Sequence, residues 1–322
     1  MSLALLFSPQ GSQAVGMGRD IAEASRAARA VYEAADATLG WPVSATCWDG
    51  PEERLNDTRQ TQPCLLTTSI ACLRALGDGA ERAGVPLRAA YAAGHSVGEY
   101  AALVASGALE LEPALRLVAR RASLMARAGK DGGMAAVIGL ERDVVAHVVA
   151  RVGRPTELVV ANDNAPGQVV ISGSGDAVAA AHEPLRAAGA RRVLSLPVSG
   201  AFHSPLMTQV ADELAAAFES ETWSDASPPV VSNVTAEPVT DAQRIRALLA
   251  EQVRSPVEWV RCVERMVADG VDTFVECGPG SALIGMVRRI APGARLASVN
   301  DVATLTATIE LLASATPAQA SA

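Results

Sequence analysis

The chain has 322 residues, 49% of them hydrophobic and 19% charged, with a formal net charge of -8 and a pI near 5.1. That length and apolar content suit a large buried core and exclude a disordered chain, while the acidic balance argues against general nucleic-acid binding. An acidic partner would have to meet a local basic patch, for which the pairs Arg120-Arg121, Arg191-Arg192 and Arg288-Arg289 are candidates.

Residues 3–8 (LALLFS) read as a short buried parallel strand, which stops at the polar loop Pro9-Gln10-Gly11-Ser12-Gln13. Helical spacing runs over 18–39 and again over 61–83, where Pro63 suits a first turn and Gly84-Val85-Pro86 a stop. Residues 88–93 (RAAYAA) predict a strand and 99–106 (EYAALVAS) a helix, followed by an amphipathic helix over 112–128.

From Gly132 the texture changes. Strands at 134–139, 157–161, 168–172 and 192–196 interleave with helices at 142–151 and 176–188, the βαββαβ order of a ferredoxin-like unit. Beyond Ser199-Gly200-Ala201-Phe202-His203-Ser204, helices near 205–219, 241–254 and 256–269 alternate with strands near 230, 272–276 and 296–299. The expected fold is therefore α/β. A large α/β-hydrolase-like domain with a mostly parallel sheet, formed by 1–128 and 199–313, carries an inserted ferredoxin-like small subdomain at 129–198. A flexible tail is expected at 314–322, where the composition turns to Ala, Ser, Thr, Gln and Pro.

Five cysteines, Cys47, Cys64, Cys72, Cys262 and Cys277, include no C-x-x-C pair, so neither a disulfide framework nor a zinc site is expected. The apolar run at the N-terminus is too short for a signal segment and no stretch approaches a membrane span, which leads us to expect a cytoplasmic protein without membrane contact.

Chemistry concentrates at Gly94-His95-Ser96-Val97-Gly98, a Gly-x-Ser-x-Gly sequence between a predicted strand and a predicted helix. Small residues alone can make a tight strand-to-helix turn. In a nucleophile elbow, however, that turn pushes the serine hydroxyl outward and leaves the next N–H, that of Val97, at a helix N-terminus suited to a developing oxyanion. A serine hydroxyl needs a base, and the chain has four histidines. His147 and His182 fall in predicted helices, and His95 adjoins Ser96 so its side chain should diverge. His203, in a small-residue loop, remains. No histidine follows it, whereas an ordinary α/β-hydrolase places its histidine late, after an acidic residue, so a hydrolase triad is hard to assemble. Gln10 can supply a second N–H to an oxyanion.

Taken together, Phe7-Ser8-Pro9-Gln10-Gly11-Ser12-Gln13, Thr61-Gln62-Pro63, the elbow through Glu99-Tyr100, Arg121 with Met125, Asn162 with Pro166-Gly167-Gln168, Phe202-His203-Ser204 and Gly278-Pro279-Gly280 resemble malonyl-CoA:acyl carrier protein transacylases. The likeness spans almost the whole chain in order. It implies Ser96 as nucleophile, His203 as base, and Gln10 and Val97 as the oxyanion hole. It further implies Arg121 as the clamp on a malonyl carboxylate, Gln62 and Asn162 as polar pocket residues, and Gln252 as the residue whose backbone carbonyl orients the histidine. Related polyketide acyltransferase domains that select malonyl carry Phe before the histidine, which implies that Phe202 bars an α-methyl group.

The implied reaction moves malonyl from malonyl-CoA to the phosphopantetheine thiol of an acyl carrier protein in fatty acid biosynthesis, without a cofactor or metal. The family usually has glycine where this chain has Pro9, and proline, lacking an N–H, implies a stiffer Gln10 loop. Other readings are a malonate decarboxylase's malonyl transferase subunit, a trans-acting polyketide acyltransferase, a serine hydrolase or thioesterase, and a silent scaffold that binds carrier protein.

Overall fold

The N-terminal apolar run forms β1 (Leu3–Phe7), with all five residues buried, as a parallel strand covered on both faces requires. The computed structural model describes residues 1–128, 131–198 and 200–315. Where one helix was expected over 18–39 there are two, α1 (Arg19–Ala24) and α2 (Arg26–Leu39). Ser25 divides them because its backbone is extended and its hydroxyl accepts from the Ala28 N–H, capping α2. Two helices too short to show a period follow, α3 (Val43–Asp49) and α4 (Glu52–Leu55).

Helix α5 (Thr58–Arg82) begins at Thr58 because Asp57 caps it through the Arg59 N–H, so Pro63 stands in its second turn rather than the first. Its middle is buried on almost every side, as befits a helix that runs through the core. Next come β2 (Ala89–Gly94), which pairs in parallel with β1 and sets Gly94 opposite Phe7, α6 (Gly98–Ala105) and α7 (Leu111–Ala128).

The inserted subdomain comprises β3 (Gly132–Ile138), α8 (Arg142–Val152), β4 (Leu158–Ala165), β5 (Gln168–Ser174), α9 (Gly175–Ala187) and β6 (Arg192–Ser195). Its antiparallel sheet has the order β4-β5-β3-β6, the ferredoxin-like arrangement. The chain then continues through α10 (Thr208–Phe218), β7 (Val230–Val231), β8 (Pro238–Val239), α11 (Ala242–Gln252), α12 (Trp259–Ala268), β9 (Thr273–Cys277), α13 (Ala282–Ile290), β10 (Arg295–Val299) and α14 (Val302–Ala315). The large sheet has the order β10-β9-β1-β2-β7-β8, parallel except between β7 and β8.

Helices α13 and α14 were not expected. α14 buries Leu305 and Leu312 although its sequence runs into the polar stretch read as a tail. Residues 316–322 of that stretch lie outside the described residues. No described helix is long and apolar enough to cross a membrane, and the five cysteines are buried free thiols.

Two contacts seat the small sheet on the large one. The Val257 N–H donates to the Ala161 carbonyl (2.8 Å) and the Asp163 N–H to the Val257 carbonyl (3.0 Å), so β4 pairs with the segment between α11 and α12. Arg142 of α8 adds an ion pair to Glu258 (2.9 Å). A cleft lies between the sheets, at the C-terminal end of β2, with Asn162 on one wall.

Candidate active site

The turn from β2 into α6 has no room for side chains at its glycines. A Cβ on Gly94 would lie 2.0 Å from the Gly98 carbonyl, and one on Gly98 would lie 2.2 Å from the Phe7 carbonyl oxygen. Ser96 between them has φ 54, a left-handed conformation that a non-glycine residue keeps only when its surroundings enforce it. Asn233 is one enforcer: its Oδ1 accepts from the Ser96 N–H (2.7 Å) and its Nδ2 donates to the Gly94 carbonyl (2.7 Å). Nothing in the local sequence marks Asn233, which stands 137 residues from Ser96.

Ser96 Oγ lies 2.8 Å from His203 Nε2. On the far side of the ring, Nδ1 is 2.8 Å from the Gln252 carbonyl and 3.2 Å from that of Ser255. Both oxygens only accept, so Nδ1 carries the proton and Nε2 is free to accept the serine O–H. The His203 backbone is also in the left-handed region (φ 58), and its N–H donates to the Val253 carbonyl at 2.9 Å. Burial, and next the charge of Arg121, push its pKa down to about 3, so the ring is held neutral. His95 turns away from Ser96, with Nε2 2.8 Å from Asn164 Oδ1, while His147 and His182 sit on helices of the small subdomain.

The pair Arg120-Arg121 separates, because adjacent residues on α7 point about 100° apart. Arg120 reaches out to Glu213 (3.0 Å), whereas Arg121 is 1% exposed and so is no part of a surface basic patch. Its Nη1 donates to Gln62 Oε1 (2.7 Å), and its Nη2 to both Ser96 Oγ and Gln252 Oε1 (3.0 Å each), with the guanidinium over the Tyr100 ring. These acceptors are all neutral, and among the described residues no carboxylate forms an ion pair with it. Burial lowers its pKa, yet an arginine in a protein stays protonated.

Gln62 in turn donates to Gln10 Oε1 (3.4 Å) and faces Met125 Sδ (3.5 Å). The Gln10 side-chain amide donates one of its two N–H groups to Thr58 Oγ1 (3.2 Å), and its backbone N–H is a further donor. Neither the Gln10 nor the Val97 backbone N–H finds an acceptor among the described residues. Above Ser96 a cavity of about 160 Å³ is lined by Gln10, Met125, Asn162, Phe202 and His203 among others.

One further residue stands out. Glu99, in the first turn of α6, is 4% exposed, and its Oε2 accepts from Gln252 Nε2 (2.7 Å) and the Asn233 N–H (3.4 Å). Burial raises its pKa to about 7. The elbow motif contains Glu99, but a carboxylate early in a helix also suits the helix dipole, and the sequence reading assigned it no role.

The arrangement as a whole, a strained serine on a parallel sheet with a neutral imidazole and a buried guanidinium on its hydroxyl, suits transfer of an acyl group through a serine ester. The class agrees with a family comparison: the acyl transferase domain model matches residues 4–307. In sequence the chain is 38% identical over 313 residues to a malonyl CoA-acyl carrier protein transacylase of Bacillus subtilis, covering 96% of this chain and 97% of the relative. In structure it is similar, at TM-score 0.91 and 41% identity, to an acyl carrier protein S-malonyltransferase from Vibrio cholerae, covering 96% of this chain and all (100%) of the other. It is equally similar, at TM-score 0.92 and 38% identity, to a malonyl-transacylase solved in complex with a type II polyketide synthase acyl carrier protein, covering 97% and 100%. The chain belongs to the malonyl CoA-acyl carrier protein transacylase family.

Proposed function

We propose that this protein transfers a malonyl group from malonyl-CoA to the phosphopantetheine thiol of an acyl carrier protein through a malonyl ester on Ser96. The observation that carries the reading is the buried Arg121 guanidinium, which forms no ion pair among the described residues and lies 3.0 Å from the Ser96 hydroxyl. A buried cation with no carboxylate bonded to it favours an acyl group that brings one, and the planar fork of arginine suits a carboxylate in two parallel bonds.

In this reading His203 Nε2 takes the Ser96 proton as Oγ attacks the thioester carbonyl. The Val97 and Gln10 backbone N–H groups receive the oxyanion, and the CoA thiolate leaves with the proton that His203 returns. The carrier thiol then attacks the ester by the reverse path. The Gln252 carbonyl holds the imidazole where a protease uses aspartate. Gln62 aligns Arg121, Asn162 binds from the cleft wall, and Phe202 fills the space beside the malonyl α-carbon. No cofactor enters these steps.

We read residues 1–128 and 199–313 as one acyltransferase domain and 129–198 as the subdomain that closes its cleft, in a cytoplasmic enzyme. Fatty acid biosynthesis is the pathway we favour, and a relative solved with a polyketide carrier makes both carrier types worth assaying. Intact-mass spectrometry after mixing with malonyl-CoA tests the proposal. We expect one malonyl adduct that holds against water, is discharged by holo acyl carrier protein, and is absent from folded Ser96→Ala. An adduct that survives in Ser96→Ala, or none in the wild type, would refute it.

A further inference from the structure

Glu99 does not line the cavity, yet it accepts from the side chain of Gln252 and the backbone N–H of Asn233, the two residues whose side chains hold the Ser96 peptide unit. Asn233 accepts from the Ser96 N–H, and Gln252 Nε2 donates to the Ser96 carbonyl at 2.8 Å. Gln252 also sends its Oε1 to Arg121 and its backbone carbonyl to His203. The orientation of this one carboxamide therefore matters. Flipped, it would present an NH2 group to the Arg121 Nη2, donor against donor, in a buried site. Glu99 Oε2 accepts from Gln252 Nε2 at 2.7 Å and from the Asn233 N–H, a role this oxygen keeps whether the group is ionised or carries a proton on Oε1, so it is compatible with Nε2 on its side and Oε1 toward the guanidinium. The charge of Glu99 also favours the protonated guanidinium of Arg121.

We infer that Glu99 is a positioning residue which, through the Gln252 carboxamide, aims the Arg121 guanidinium and so sets the preference for acyl groups that carry a carboxylate. This inference rests on the malonyl-transfer reading above. Glu99 acts here as an acceptor at a fixed place, so a glutamine, whose carbonyl oxygen can occupy the Oε2 position, should substitute for it. An alanine leaves two buried donors, Gln252 Nε2 and the Asn233 N–H, without their partner.

The test measures kcat/KM for acylation of the enzyme by malonyl-CoA and by acetyl-CoA, in the wild type, Glu99→Ala, Glu99→Gln and Glu99→Asp, with melting temperature alongside. We expect the malonyl-to-acetyl ratio to fall about 10-fold in Glu99→Ala, roughly the worth of one misdirected hydrogen bond, and to be kept in Glu99→Gln. Glu99→Asp, which withdraws the acceptor by one methylene, should lower the ratio even if the alanine variant does not fold. A lower melting temperature with an unchanged ratio in the folded alanine or aspartate variant would overturn the inference and make Glu99 structural only. So would a glutamine variant as unselective as the alanine one, because the acceptor would then not be what matters. A wild type that takes no malonyl group refutes the proposed function instead, so the two failures are told apart.

Discussion

His203 illustrates how a residue's surroundings set its chemistry. Free histidine titrates near 6.5, where a base would lose half its activity in mildly acidic solution. Burial and the neighbouring Arg121 charge both disfavour the imidazolium, and the ring stays neutral to about pH 3. The sign is clear: a lowered pKa keeps the base form available as pH falls, and activity is lost only as pH approaches the folded value. Since kcat/KM reports groups of the free enzyme, we expect single-turnover acylation by malonyl-CoA to be nearly flat from about pH 8 to about pH 5. A limb with its midpoint near 6.5 would mean that the ring is solvated or that another group is the base. At the same scale Ser96 pairs strain with function, since its left-handed backbone is held by Asn233 and Gln252 while its hydroxyl meets His203 and Arg121.

Among the elements, β1, β2 and α6 form a unit whose spacing is set by the absence of side chains. Gly98 backs directly onto the Phe7 carbonyl, and a backbone strand in mid-sheet cannot withdraw as a flexible side chain can. Gly98→Ala should therefore destabilise the fold by about 1–3 kcal/mol or more through overpacking, and acylation should fall with it because β1 leads into the Gln10 loop. Gly77→Ala provides the contrast: a Cβ there meets nothing within 4 Å, so α5 should gain up to about 1 kcal/mol in helix propensity. Thermal or denaturant unfolding of the two variants checks this, and equal effects would contradict the packing argument.

For the molecule as a whole, a net charge of -8 leaves local basic patches as the places where an acidic partner could dock. With Arg121 buried, the exposed pairs left are Arg191-Arg192 and Arg288-Arg289. They converge: a Cβ on Gly139 would lie 2.8 Å from the Arg191 side chain, one on Gly167 would lie 3.7 Å from both the Gly139 Cα and the Arg289 guanidinium, and Arg289 also bonds to Gln168 at 3.1 Å. None of the four forms an ion pair among the described residues. Discharge of the malonyl-enzyme by carrier protein should thus slow severalfold as salt rises from about 0.05 M to about 0.5 M, while discharge by free pantetheine should not. Equal salt responses for the two thiols would point to an apolar docking surface.

How much of this was legible in the sequence depended on how local the signal was. The elbow reads from five consecutive residues, the βαββαβ order from alternating periods, and His203 from counting histidines and discarding three. Each of those inferences uses neighbours along the chain. The break at Ser25, the start of α5 at Asp57 and the short helices α3 and α4 were missed because caps and single turns leave no period to detect. The pairing of Arg120 with Arg121 misled for a different reason: adjacency in sequence says nothing about which side of a helix faces the core. Only the tertiary structure decided that Arg121 lies on the Ser96 hydroxyl without an ion-pair partner, and that Glu99 joins Gln252 to Asn233. Those bonds link residues 25 to 153 positions apart. Sequence by itself could name candidate reactive groups because their chemistry belongs to residue types, whereas their orientation comes from hydrogen bonds between distant segments that no local pattern encodes.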